Sequence, residues 1–182
     1  METSSKVKIR FIDCDPLGHL NNSKYLDYML NAREDHVDQN YDITYADIVK
    51  ESGCTLIAIQ NEIAYLREVK FNQIVDISSK IIEIFERTAK VEITMRDDSG
   101  KLNAVLWCTV IYFNLKTRKS ETIPEKFVNL FTQFLLPVAE KEFQSRVNYF
   151  RKQNKTNYET ENIGSRWKRT IGEMFAKNCT NT

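Results

Sequence analysis

The apolar positions of the chain change period several times, and each change predicts an element. Between Lys6 and Ile12 the charged Lys6, Lys8 and Arg10 alternate with Val7, Ile9 and Phe11, the two-residue period of a half-buried first strand. A polar turn, Asp13-Cys14-Asp15-Pro16-Leu17-Gly18-His19, separates it from a helical pattern. Tyr25, Leu26, Met29, Leu30 and Val37 recur at spacings of three and four behind two asparagines suited to capping. They predict one long helix from Asn22 to near Gln39. Thr44 to Glu51 is a shorter helical stretch stopped by Ser52-Gly53.

Strands follow. Leu56–Arg67, Ile74–Phe85, Lys90–Arg96 and Asn103–Leu115 are rich in Ile, Val, Phe and Tyr, with Val91, Ile93 and Met95 facing inward in the third. Asp97-Asp98-Ser99-Gly100 is a hairpin turn with glycine where positive φ is needed. Asn103–Leu115 is apolar on both faces: Val105, Trp107, Ile111 and Phe113 alternate with Leu106, Cys108, Val110 and Tyr112. A sheet curled around one helix leaves the second face to a terminal helix or another subunit, and a dimer is the economical answer.

Pro124 opens a helix carrying Phe127, Leu130, Phe131, Phe134 and Leu135 and ending before Pro137, which supplies part of that cover. The composition then shifts, since residues 138–182 hold 9 Lys and Arg against 5 Asp and Glu. Phe143, Val147, Tyr149 and Phe150 fit another amphipathic helix, whereas Gln153 to Asn162 is polar and loop-like. The expected organisation is one domain over residues 1–136, followed by a helical or partly irregular appendage over 137–182.

The charge balance narrows the partners. Across 182 residues the net charge is +1, from 26 basic and 25 acidic side chains, so no long-range field draws the molecule to nucleic acid or an anionic membrane. No run of apolar residues is long enough for a membrane span. Cys14, Cys54, Cys108 and Cys179 are scattered without a paired motif. With the polar start of the chain, this gives the expectation of reduced thiols and a cytoplasmic location.

Chemistry concentrates in Asp13–Tyr25, where two carboxylates, a histidine, a proline-glycine turn and a helix start lie together. Asp15 stands just before a helix whose free N–H groups favour negative charge. A carboxylate aimed at a carbonyl carbon, with amides aimed at its oxygen, suits acyl transfer to water without a metal. The same aspartates and asparagines are also what a turn leading into a capped helix requires. A calcium loop fails because its fifth and twelfth positions would be Leu17 and Lys24. Two histidines without ligand-spaced cysteines make a poor zinc set, and the serine-hydrolase elbow is absent.

The run Asp13-Cys14-Asp15-Pro16-Leu17-Gly18-His19-Leu20-Asn21-Asn22-Ser23-Lys24-Tyr25 resembles the signature of hotdog-fold thioesterases of the 4-hydroxybenzoyl-CoA thioesterase type, D-x-D-x-x-G-H-x-N-N-x-x-Y. The resemblance extends in outline over residues 6–136, and Ile63-Ala64-Tyr65-Leu66-Arg67 is similar to the segment entering that family's third strand. It implies an α+β hotdog fold, an antiparallel sheet wrapped around a long central helix, here with a C-terminal helical extension. It also implies a homodimer, in some members a homotetramer, with the acyl channel at the subunit interface.

The implied activity is hydrolysis of an acyl-CoA thioester to free acid and CoA, with no cofactor. Asp15 would be general base or nucleophile, Asp13 a supporting residue, and His19 a further catalytic or orienting group. The asparagine that a plant acyl-ACP thioesterase has between aspartate and histidine is Leu17 here, a departure from the three-residue pattern. Asn22 and Tyr25 match motif positions and are candidate substrate-binding residues, though capping and core packing explain them too. For the CoA phosphates, Arg67, Lys70, Arg87 and Lys90 lie at predicted strand ends, with Arg67 and Arg87 taken as candidates. The alternatives are an acyl-ACP thioesterase and a non-catalytic acyl-CoA-binding hotdog protein.

Overall fold

A computed structural model describes residues 2–155. The elements run β1 (Thr3–Lys8), a 3-10 turn (Phe11–Asp13), α1 (Asn22–Asn40), α2 (Tyr45–Ser52), β2 (Cys54–Tyr65), β3 (Ile74–Ile84), β4 (Thr88–Arg96), β5 (Leu102–Asn114), β6 (Lys119–Ser120), α3 (Glu125–Thr132) and α4 (143–155). The sheet is antiparallel throughout, ordered β1-β3-β4-β5-β2, with β6 adding to β5. It curls around α1 in the hotdog arrangement that the sequence implies. The long helix is the core: Tyr25, Met29, Ala32 and Val37 form one buried stripe against Ile77, Ile93, Met95 and Leu106.

Local chemistry sets the element ends. Asn21 caps α1 by accepting the Ser23 N–H on its side chain at 3.1 Å. Thr44 and Asp47 form a reciprocal capping box on α2, and Gly53 ends that helix at φ 68°. The Asp97–Gly100 hairpin turn forms as expected, with Gly100 at φ 78°.

Three expectations are corrected. The first strand lies earlier than Lys6–Ile12, because its partner β3 begins only at Ile74. The ladder therefore runs from Lys8 back to Thr3, and Phe11 and Ile12 turn out to solvent at 77% and 87% exposure. Second, α3 stops at Thr132 instead of continuing towards Pro137; Leu136 donates its N–H to Ile81 O at 2.8 Å beside a bulge in β3. Pro124 is the cap of α3, not its first residue.

The third concerns the two-sided β5. Its inner residues Ala104 and Leu106 face α1, while Val105 and Trp107 on the outer face pack with Phe143, Val147 and Phe150 of α4. The same chain thus supplies the outer cover, and α3 packs on the inner side through Phe127 and Phe131. Residues 153–155 are helical, not loop-like; the rest of the polar stretch to Asn162 and the chain beyond it fall outside the described residues. Among the described residues no helix is long and apolar enough to cross a membrane.

Candidate active site

The turn before α1 is built around the Asp15 side chain. Its Oδ1 accepts the backbone N–H groups of Leu17 at 2.9 Å and His19 at 3.0 Å. The Asp15 carbonyl accepts from Gly18 N–H at 2.9 Å, and the Asp15 N–H donates to His19 O at 2.8 Å. Gly18 sits at φ 78°, so glycine is what lets the chain reverse there. One carboxylate oxygen is thereby fixed, and Oδ2 makes no hydrogen bond among the described residues.

The opposite wall is the segment leaving β2. Leu20 N–H donates to Val69 O at 2.8 Å, Phe71 N–H to Gly18 O at 2.9 Å, and Val69 N–H to the Tyr25 hydroxyl at 3.1 Å. Between the walls lies a cleft of about 320 Å³ lined by Asp15, His19, Asn22, Tyr25, Tyr65, Arg67 and Glu68. Five of the six sequence candidates meet there. Arg87 does not: it sits in the β3–β4 turn beside Glu86, at the far end of a strand about 30 Å long.

The individual roles are uneven. Tyr25 is buried, stacks edge-on against Tyr65 at 5.1 Å and spends its hydroxyl on Val69. Burial raises its phenol pKa above the ordinary value, which makes it a packing and wall residue. Asn22 is the first residue of α1, and the cap is Asn21. Tyr65 donates its hydroxyl to Asn22 O at 3.0 Å. Asp13 is turned away from the cleft and holds the turn to α1, accepting from the Tyr28 hydroxyl at 2.7 Å with Lys24 at 3.7 Å.

The expected set of helix N-terminal donors is narrower than the sequence suggests. Leu17 and His19 N–H serve Asp15 Oδ1, Gly18 N–H serves Asp15 O, and Leu20, Asn21, Ser23 and Lys24 N–H are also committed within the protein. Pro16 has none to give. Among the described residues that leaves the Asn22 N–H, beside its own side-chain amide, as the donor of this stretch still open at the cleft.

Two features of the site carried no sequence signal of their own. His19 Nε2 lies 3.2 Å from Glu68 Oε2, and Lys70 Nζ lies 3.0 Å from Glu68 Oε1. The Lys70 ammonium, with His19 adding, holds the Glu68 carboxyl below its usual range. A second hollow of about 560 Å³ adjoins the cleft through Tyr65, Leu66 and Arg67, and is closed by Lys101, Arg151, Asn154 and Lys155. α4 therefore brings two cations to the mouth of the site. Arg67 itself lies 3.7 Å from Asp97, while Lys90 is engaged elsewhere, on Glu83.

Solved structures share this architecture. A 1,4-dihydroxy-2-naphthoyl-CoA thioesterase from Synechocystis is similar at TM-score 0.65 and 13% identity, covering 72% of this chain and 96% of its own. A hypothetical protein from Staphylococcus aureus in complex with CoA matches at 0.68 and 14%, covering 78% and 90%. A hypothetical protein from Thermus thermophilus matches at 0.66 and 18%, covering 75% and 99%. No curated protein sequence matches the chain. The family model described as the thioesterase-like superfamily matches residues 9–131. That match spans the Asp15 turn, the central helix and strands β2 to β6, and the chain belongs to the thioesterase-like superfamily.

Proposed function

We propose that this protein hydrolyses acyl-CoA thioesters to free acid and CoA, with Asp15 as general base or nucleophile. The observation that carries the reading is the Asp15 carboxylate: Oδ1 is clamped by two backbone N–H groups and Oδ2 is open to a cleft beside the start of α1. As base, Oδ2 takes a proton from water while the water oxygen bonds to the thioester carbon. The carbonyl becomes an oxyanion facing the Asn22 N–H, and its collapse breaks the C–S bond and releases the CoA thiolate. Glu68 orients His19 beside the reacting carbon.

CoA as the carrier is supported by the hollow adjoining the cleft, where Arg67, Arg151 and Lys155 suit phosphate groups. The complex of the similar S. aureus protein with CoA points the same way. We further propose a cytoplasmic homodimer, with a homotetramer as the alternative assembly. β2 is the sheet's outer strand and exposes Ile57 and Ile59, and Leu17 beside Asp15 is 78% exposed. Light scattering of the purified protein tests that state.

The functional test is thiol release from short, long and aromatic acyl-CoAs by wild type and Asp15→Asn in parallel. The variant is expected to keep its fold and lose at least about a hundredfold in kcat. Equal rates would remove Asp15 from the chemistry. No turnover of any acyl-CoA by wild type would favour acyl-carrier-protein thioesters, and failure there too a binding role.

A further inference from the structure

A second cavity lies on the inner face of the sheet, towards the other end of α1. It measures about 290 Å³ and is walled by apolar side chains including Val37, Ile48, Leu56, Ile81, Val91 and Phe131. Among the described residues one cation lines this apolar space. Arg33 is on the buried side of α1, eleven residues and roughly 16 Å along the helix from Asn22, and is only 8% exposed.

The bonds that Arg33 makes define what it lacks. Its Nη1 donates to the Tyr41 hydroxyl at 2.8 Å and the Ser79 Oγ at 3.3 Å, and the guanidinium lies 4.8 Å from the Tyr41 ring centre. Its Nε is buried with no hydrogen-bond partner, and no described residue accepts from Nη2. No carboxylate among the described residues pairs with it; Glu34 lines the same cavity but is exposed and makes no ion pair with Arg33. His36, its neighbour on the helix face, is hydrogen-bonded to Ser79 and Ser5 and supplies no anion.

A buried guanidinium without a counter-charge is costly, and the Tyr41 and Ser79 contacts bring it no negative charge among the described residues. Among the described residues none fills the fork formed by the Nε and Nη2 hydrogens, whose geometry matches the two oxygens of a carboxylate. We propose that this cavity binds an aliphatic monocarboxylate, its carboxylate bidentate on the Nε/Nη2 edge of Arg33 and its chain among Val37, Ile48, Leu56 and Phe131. The site is separate from the Asp15 cleft and rests on this geometry, not on the thioesterase reading. If that reading also holds, the free acid released at one site belongs to the class retained at the other.

Titration of the full chain with octanoate and with 1-octanol, followed by calorimetry, tests it. Octanoate is expected to bind at least about tenfold more tightly than the alcohol. Arg33→Met removes the charge at similar volume and is expected to erase that preference without lowering Tm. Arg33→Lys keeps the charge but loses the fork, and should retain a reduced preference, so the comparison survives if the Met variant fails to fold. Asp15→Asn should bind octanoate as wild type does. Equal affinity for acid and alcohol, no octanoate binding at millimolar concentration, or a preference that persists in folded Arg33→Met would overturn the proposal. So would loss of octanoate binding in Asp15→Asn, which would put the ligand in the cleft.

Discussion

Arg146 is the anchor that holds α4 to the outer face of the sheet, and its removal has a calculable consequence at the mouth of the candidate site. Glu92 of β4 is 1% exposed and receives Arg146 Nε at 2.7 Å and Nη2 at 2.8 Å, a bidentate pair, with Trp107 Nε1 at 2.9 Å. Lys80 stands 3.4 Å away, and Glu140 takes Arg146 Nη1 at 3.0 Å. Breaking a buried pair from one side costs about 3–5 kcal/mol. Lys80 and Trp107 remain with Glu92, so the lower end applies to Arg146→Met. With a urea slope of about 2 kcal/mol/M, a loss of about 3 kcal/mol moves the unfolding midpoint down by roughly 1.5 M. Glu92→Gln in the same chain leaves an acceptor for Trp107 and no buried carboxylate, and should recover about half of that loss. Arg151 and Lys155 lie one to three turns further along α4, so a loosened helix should also raise KM for an acyl-CoA while sparing kcat. A midpoint shift below about 0.3 M, or no recovery in the double variant, would refute the anchor argument.

Further outcomes follow from the same structure. Burial pushes the Glu92 carboxyl up, but the hydrogen bonds from Arg146 and Trp107 and the charges of Arg146 and Lys80 outweigh it, so its folded pKa is lowered. Its contribution to stability is therefore full above the unfolded value, near about 4.3, and is lost as pH falls through the lower folded value; Glu92→Gln should flatten urea midpoints measured across that acid range. Thr44→Ala removes the α2 capping box and should cost about 1 kcal/mol, read as a fall in Tm. Arg151→Ala with Lys155→Ala should raise KM for acyl-CoA severalfold and leave a thioester of N-acetylcysteamine, which has no phosphates, unchanged.

Much of the fold was legible because its elements satisfy one simple rule each. α1 keeps a helical stripe for nineteen residues, and the four long strands alternate or run apolar between clear turn signals. Pattern and structure part where an element ends for a reason carried by another part of the chain. Phe11 is as apolar as Ile9, yet the ladder stops short of it because β3 has not begun. Phe134 and Leu135 continue the period of α3, but Leu136 finds a partner in Ile81. The alternation Val105, Trp107 correctly announced a buried outer face. It could not say which element covers it, since that depends on Glu92 meeting Arg146 across 54 residues.

The site divides along the same line. Asp15, His19, Asn22 and Tyr25 lie within eleven residues, so a local motif and a capped helix bring them together without any distant contact. Glu68 and the cations of α4 reach the cleft only through the pairing of Leu20 with Val69 and the docking of a distant helix. The hydrophobic stripe of α1 likewise concealed Arg33 and His36, because a period search discards charged residues as solvent-facing. Both lie on the buried side, and the apolar space around Arg33 is what turns a lapse in periodicity into a candidate recognition group. The helix-start amides expected to cradle an oxyanion are fewer than the motif suggests, because Asp15 Oδ1 takes the Leu17 and His19 N–H groups to hold its own carboxylate. A clamped base and a full set of free loop donors compete for the same N–H groups. In this turn the Asp15 carboxylate has the better claim, which leaves the Asn22 N–H as the donor for the proposed oxyanion.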